Sequence, residues 1–355
     1  MLFTKQIRKE EYFVKKPEKK SIFNVLFLVI VFALTIWSVF SGVDLNQLST
    51  YLLQAEPIYI VLSIFCVIAF ILGESVIIHY LLKTLGTRIP FSHCCLYSFI
   101  GFFYSCITPS ASGGQPMQVI AMRKDKIPVA VSAVVLAIIT ITYKAVLVLI
   151  GLVVLVVRPA SIMCYLDGVE WIVYLGLILN VVCIMLLYMV VFHASVIRSI
   201  ATWSLNLVDH IRPLHNREKW EQKLENLISQ YNGTAEFFRS NQRIILNVFG
   251  ITFIQRCLLF FVAGLTYLAF HLAGESLFVI TTLQGMISVA VDMLPLPGGM
   301  GISENLFLTI FEPIFGEALV LPSMLVSRGI SFYTQLIICA IMTVAASFIL
   351  KRKED

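Results

Sequence analysis

Charge is what this sequence has least of. Only 13% of its 355 residues are Asp, Glu, Lys or Arg, against about 25% in a typical soluble domain. With 59% hydrophobic residues, that shortage excludes an ordinary water-soluble protein, a disordered chain and a nucleic-acid binder. Cysteine is present but unorganised. Its 8 residues form no CxxC pair and no His/Cys cluster, so no disulfide framework and no metal site is expected. They read as small packing residues inside apolar segments. No Gly-Gly is followed by Lys-Ser or Lys-Thr, which removes the nucleotide-binding loop. No Ser-His-Asp or Cys-His set is recognisable either, so enzyme activity is not expected and no cofactor is called for. The alternating segments of a β-barrel are also missing.

What is present is a series of uninterrupted apolar segments of about 20 residues, the length that crosses a bilayer as helix. Mean hydropathy is +0.89. The expected fold class is an all-α polytopic membrane protein. Full spans are expected at 21–40, 57–82, 129–157, 171–192, 244–270 and 322–350, with Pro322 opening the last of them. Basic residues cluster in 1–20, in 193–243 and in the 351–355 tail, so both termini and the central loop are expected in the cytoplasm. No small-residue cleavage site follows the first span, so it reads as a retained helix. Trp220, Leu224, Leu227, Ile228 and Tyr231 share one helical face in the central loop. They suggest a helix lying on the membrane surface or on the bundle.

Two further apolar segments are broken. Residues 91–107 run into Thr108-Pro-Ser-Ala-Ser-Gly-Gly-Gln-Pro116, and residues 277–294 run into Pro295-Leu-Pro-Gly-Gly-Met-Gly301. Neither motif can continue a helix. If 91–107 spanned fully, Arg123, Lys124 and Lys126 would lie outside. The charge rule therefore favours two re-entrant hairpins entering from opposite faces, within 21–350, as in an inverted repeat around a midplane site. The alternative count turns hairpin limbs into spans and gives about eight helices.

Irregular backbone at membrane depth survives only where protein or a water-filled cavity satisfies it. Each break also feeds a helix N-terminus, with Pro116 at the first helical position of one and Ser303 as N-cap of the other. Such ends favour an anion. The candidate head-group residues are Thr108, Gly113, Gly114, Gln115, Gly298 and Gly299 in the breaks, joined by the intramembrane Lys144, Gln255, Arg256 and Arg328. Glu74, Asp292 and Glu304 are candidates for proton or ion coupling, and Glu74 or Glu304 is the alternative candidate for membrane-embedded catalysis. A charge at mid-bilayer costs about 2.5–3.5 kcal/mol on insertion scales. It persists by binding a ligand such as a lipid phosphate, or by structural pairing of Lys144 or Arg256 with Glu74 or Asp292. Both readings stand at this level. The glycines have a plainer alternative role, close packing of the hairpin limbs.

The motif at 108–116 and the stretch Leu294-Pro-Leu-Pro-Gly-Gly-Met-Gly-Ile-Ser-Glu304 resemble the paired signatures of the lysylphosphatidylglycerol synthase transmembrane region, the flippase-like half of the multiple peptide resistance factor. The resemblance covers roughly residues 20–350. It implies a lipid flippase of a bacterial plasma membrane, moving an anionic or aminoacylated phospholipid between leaflets and serving antimicrobial peptide resistance. Bifunctional members carry a C-terminal synthase domain. Here the chain stops at Asp355, so lysyl transfer by this chain alone is not expected. The resemblance leaves a second role open, a membrane subunit presenting lipid to a separate synthase or glycosyltransferase. A homo-oligomer is compatible with either role, and an intramembrane transferase is the third possibility.

Overall fold

The computed structural model describes residues 54–108, 111–193, 198–199, 202–203, 217–294, 299 and 301–349. The chain divides into Met1–Leu45, which lies outside the described residues, and Asn46–Asp355, which holds all of them. The expected first span, the basic 1–20 segment and the 351–355 tail therefore fall outside the description.

Every described element is helical. In chain order they are α1 (Pro57–Thr84), α2 (Phe91–Ile107), α3 (Gly114–Lys124), α4 (Val129–Val157), α5 (Ala160–Leu166), α6 (Glu170–Phe192), α7 (Arg217–Ser240), α8 (Gln242–Ala269), α9 (Leu277–Val291), α10 (Ile302–Phe315) and α11 (Glu317–Arg328). A π-helical turn, Gly329–Thr334, joins α11 to α12 (Gln335–Ile349). Four of these helices, and the stretch Glu317–Ala346, are long and apolar enough to cross a membrane. Phe65, Val156, Ile178, Met185, Ile254 and Ile341 project outward and exposed. A helix that is apolar all round is a membrane or deep-core helix, and the exposed apolar girdle makes this a polytopic membrane bundle.

α2 and α9 are too short to cross. At 1.5 Å per residue, 17 and 15 residues reach only about 26 and 22 Å of a core of about 30 Å. Both fold back on themselves. In the first hairpin Gly114 packs on the Gly101 carbonyl and Ser105 near the tip, and Gln118 packs on Gly101. At the open end Asp125 accepts from the Tyr97 hydroxyl and pairs with His93 Nδ1 at 2.7 Å. The start of α2 and the end of α3 thus lie at one level.

The two hairpins are related by an inverted repeat. α1 and α8 run antiparallel, as three contacts along their length show. Glu56 N donates to Ala269 O at 2.9 Å, Gln255 Nε2 to Phe70 O at 2.7 Å and Asn247 Nδ2 to the Tyr80 hydroxyl at 2.9 Å. Each hairpin's first limb packs on the long helix before it, α2 on α1 and α9 on α8. Each second limb packs on the helix after it, α3 on α4 and α10 on α11. Each first limb also crosses to the closing helix of the other half, α2 to α12 and α9 to α4. The open end of the first hairpin abuts the C-terminal part of α1, where the Phe91 ring meets His79. The open end of the second abuts the C-terminal end of α8, where Phe315 meets Tyr267. Because α1 and α8 are antiparallel, the hairpins enter from opposite faces.

Several boundaries differ from the sequence reading. Gly316, at φ +76°, restarts the chain, and the last long helix begins at Glu317 with Pro322 inside it. Gly301 caps α10 in place of Ser303, since glycine alone accepts its φ of +84° without strain. α3 starts at Gly114, two residues before Pro116. In α7 the buried face is Ile228, Thr234, Ala235 and Phe238, set against α4, α6 and α8, and Leu227 is exposed. The central amphipathic helix therefore packs on the bundle. The segment between α4 and α6 also carries the short helix α5.

Candidate functional site

The polar residues that sequence placed inside apolar spans are brought together in two clusters, with Gln255 engaged elsewhere. Lys144 of α4 is buried and its Nζ binds Asp292 at the end of α9. The neighbouring Tyr143 hydroxyl donates to the other oxygen of the same carboxylate. Lys144 Nζ also lies 3.0 Å from Met293 Sδ. Helical geometry would send adjacent residues to different faces, but both side chains reach the one carboxylate where α9 ends beside them.

Arg256 of α8 stacks on Tyr143, with its guanidinium carbon 3.5 Å from the Tyr143 ring centroid and 4.9 Å from that of Phe70. Its Nε is shut off from solvent and has no hydrogen-bond partner. Among the described residues no carboxylate comes within 4.0 Å of it. Glu74, an acidic group in electrostatic reach of it, is held by Gln118 Nε2 at 2.6 Å. Gln255 does not face the cluster. Its amide is spent on the Phe70 carbonyl, bracing α1 against α8.

A second cluster surrounds the start of α10. Glu304 Oε1 accepts from Arg328 Nε at 2.8 Å and Nη2 at 2.7 Å. Glu304 Oε2 accepts from Gly301 N at 2.5 Å and from Ser303 Oγ at 3.2 Å. Arg328 ends α11 just before the π-helical turn and stacks near Phe332. Such turns recur where a helix is bent to serve a site.

The residues of the first break are engaged with one another. Thr108 Oγ1 donates to Tyr104 O at 2.6 Å and accepts from Gly113 N at 2.9 Å. Gln115 Nε2 donates to Thr140 of α4. A Cβ on Gly114 would come within 2.1 Å of Ser105 Oγ and 2.7 Å of the Gly101 carbonyl, so this glycine is needed for close approach of the limbs. Gly299 has φ +67°, and Gly298 lies outside the described residues.

These observations have a match in sequence. Residues 24–339 match the family described as the lysylphosphatidylglycerol synthase TM region. The chain belongs to that family. No curated protein is found to match it. Membership in the lysylphosphatidylglycerol synthase TM region family is consistent with the two broken hairpins, since the motifs that carry the resemblance are the hairpin tips.

Sequence reasoning missed Tyr143, Gln118 and Phe70, and it placed Ser303 as an N-cap where its hydroxyl instead donates to Glu304. Gln118 was the most accessible of these, a polar residue on a short limb flanked by apolar neighbours. Tyr143 carried no signal, because a lone tyrosine in a long span is ordinary.

Proposed function

We propose that this protein carries a phospholipid with an anionic or aminoacylated head group between the leaflets of a bacterial plasma membrane. The head group passes between the hairpin tips, and the acyl chains stay in the surrounding lipid. The observation that supports this reading best is Arg256, a cation of α8 that stacks on Tyr143 of α4 and has no described carboxylate within ion-pair distance. A lone charge at such depth costs about 2.5–3.5 kcal/mol, a cost that an arriving phosphate offsets. Lys144 stands beside it and Glu74 and Asp292 give the amine of an aminoacylated head group somewhere to rest. Under the charge rule, Arg123 to Lys126 and α7 face the cytoplasm. The family's name makes lysylphosphatidylglycerol the first lipid to try.

The test is a leaflet-resolved lipid assay in proteoliposomes with phosphatidylglycerol and lysylphosphatidylglycerol. Transport by the wild-type chain and its loss in Arg256→Met are expected. Equal leaflet exchange in both proteins would refute the reading.

A further inference from the structure

Glu304 sits in a complete oxyanion site. Its two oxygens collect a guanidinium fork from Arg328, a backbone N–H from Gly301 at a helix start, and the hydroxyl of Ser303. That is a donor set which suits a phosphate: two guanidinium nitrogens on one oxygen, with a hydroxyl and a helix N-terminal amide on the other. Asp292 is placed similarly, with an ammonium and a phenol on its two oxygens and Arg256 stacked on the ring of the same tyrosine. The two carboxylates flank one break, that of the second hairpin. The helices that hold them, α4 and α11, are counterparts in the inverted repeat. The first hairpin is held at matching positions by neutral groups. Gln115 bonds Thr140 where Glu304 bonds Arg328, and Gln335 approaches Cys106 at 4.0 Å where Lys144 bonds Asp292.

We propose that Asp292 and Glu304 are built-in stand-ins for the substrate's phosphate, which the head group of an anionic phospholipid must displace from Lys144, Tyr143 and Arg328. This rests on the transport reading and adds how the site is kept closed and how the lipid leaves. With no lipid present Lys144 and Arg328 are neutralised and the second hairpin is pinned on both sides of its tip. When the phosphate enters, Arg256 completes its coordination beside Lys144, and Asp292 swings free. When the carboxylate returns, it competes the phosphate off. Binding and release are then two directions of one exchange, with no bond made or broken except hydrogen bonds and ion pairs. The asymmetry between the repeats assigns the exchange to the second hairpin.

The experiment titrates purified protein in neutral detergent with phosphatidylglycerol and reads thermal stabilisation, alongside translocation in proteoliposomes. Asp292→Asn and Glu304→Gln keep the size of each side chain and remove the competing anion. If the carboxylate holds the cation in at least nine molecules of ten, freeing it lowers the half-saturating lipid concentration by about tenfold. Translocation by the same variants should fall, because nothing expels the bound head group. Tighter binding with slower transport is the expected split. Unchanged or weaker binding in both variants would overturn the proposal. Should the variants not fold, the wild-type chain serves. Dicyclohexylcarbodiimide labelling of Asp292 and Glu304, read by mass spectrometry, should rise on adding phosphatidylglycerol, and protection or no change overturns it. Failure of the underlying reading looks different: neither the wild type nor any variant responds to phosphatidylglycerol, or glycerol phosphate without acyl chains reproduces the response.

Discussion

Removing the ammonium of Lys144 tests whether the Lys144–Asp292 pair holds the tip of the second hairpin. The two side chains are 8% and 15% exposed, so Lys144→Met strands a carboxylate in a largely desolvated setting. Breaking a buried pair from one side costs roughly 3–5 kcal/mol. The Tyr143 hydroxyl remains on Asp292, which puts the expected loss near the lower bound, about 3 kcal/mol. Arg256→Met makes the opposite case. It forfeits the contact with the Tyr143 face, worth about 2 kcal/mol when desolvated. It also sheds a charge with no close anion, whose retention costs about 2.5–3.5 kcal/mol at mid-membrane. The two terms nearly cancel. The assay is thermal unfolding in detergent for Lys144→Met, Arg256→Met and the double variant Lys144→Met/Asp292→Asn. Lys144→Met should melt clearly earlier, the double variant should recover most of the loss, and Arg256→Met should stay near the wild type. If Lys144→Met melts with the wild type, or neutralising Asp292 restores nothing, the pair is not what pins the tip.

Other expectations follow from single contacts. Gly176→Ala would drive a Cβ to 2.3 Å from the Val289 carbonyl and 2.7 Å from Ala290 Cα. Backbone cannot yield cheaply, so α6 and α9 must separate at a cost of about 1–3 kcal/mol, read as a lower melting temperature. Gly114→Leu should abolish transport while the protein still inserts, because the first hairpin cannot close on Gly101 and Ser105; wild-type transport would contradict this. In a background without the 8 native cysteines, Lys124→Cys and Ala273→Cys should label from opposite faces of intact cells, and labelling from one face would sink the hairpin topology. In the segment outside the spans, the Tyr165 hydroxyl donates to Glu275, which pushes its pKa up from 10.0 to about 12. A raised pKa favours the neutral form in the folded state. The stability this bond contributes is therefore complete below pH 10 and lost as pH rises towards 12. Tyr165→Phe should remove that part of the alkaline dependence in a melting-temperature profile.

The elements that sequence placed well were those fixed by local composition. The span at 129–157 matches α4 residue for residue, because a long apolar segment bounded by Pro128 and Arg158 has only one way to begin and end. Boundaries set by a single glycine torsion were less legible. The start at Glu317 depends on Gly316 taking φ +76°, and nothing in a string of letters distinguishes that glycine from a packing glycine. Leu227 misled for a related reason: periodicity assigns a residue to a face but does not say how wide a stripe the neighbouring helices cover.

Composition and charge placement by themselves determined that this chain is a helical membrane protein with two broken segments, since those properties depend on transfer energies and on backbone groups that must be satisfied within each segment. Two motifs were enough to point to its family. Only the tertiary structure decided which charges pair. Lys144 and Asp292 are 148 residues apart, and Glu304 and Arg328 lie 24 apart on separate helices. Nothing local favours those pairings over Lys144 with Glu74. They arise because the packing of the helices brings the end of α9 beside α4 and the start of α10 beside α11. Charge at membrane depth demands a partner, and the packing of the repeat determines which partner is within reach.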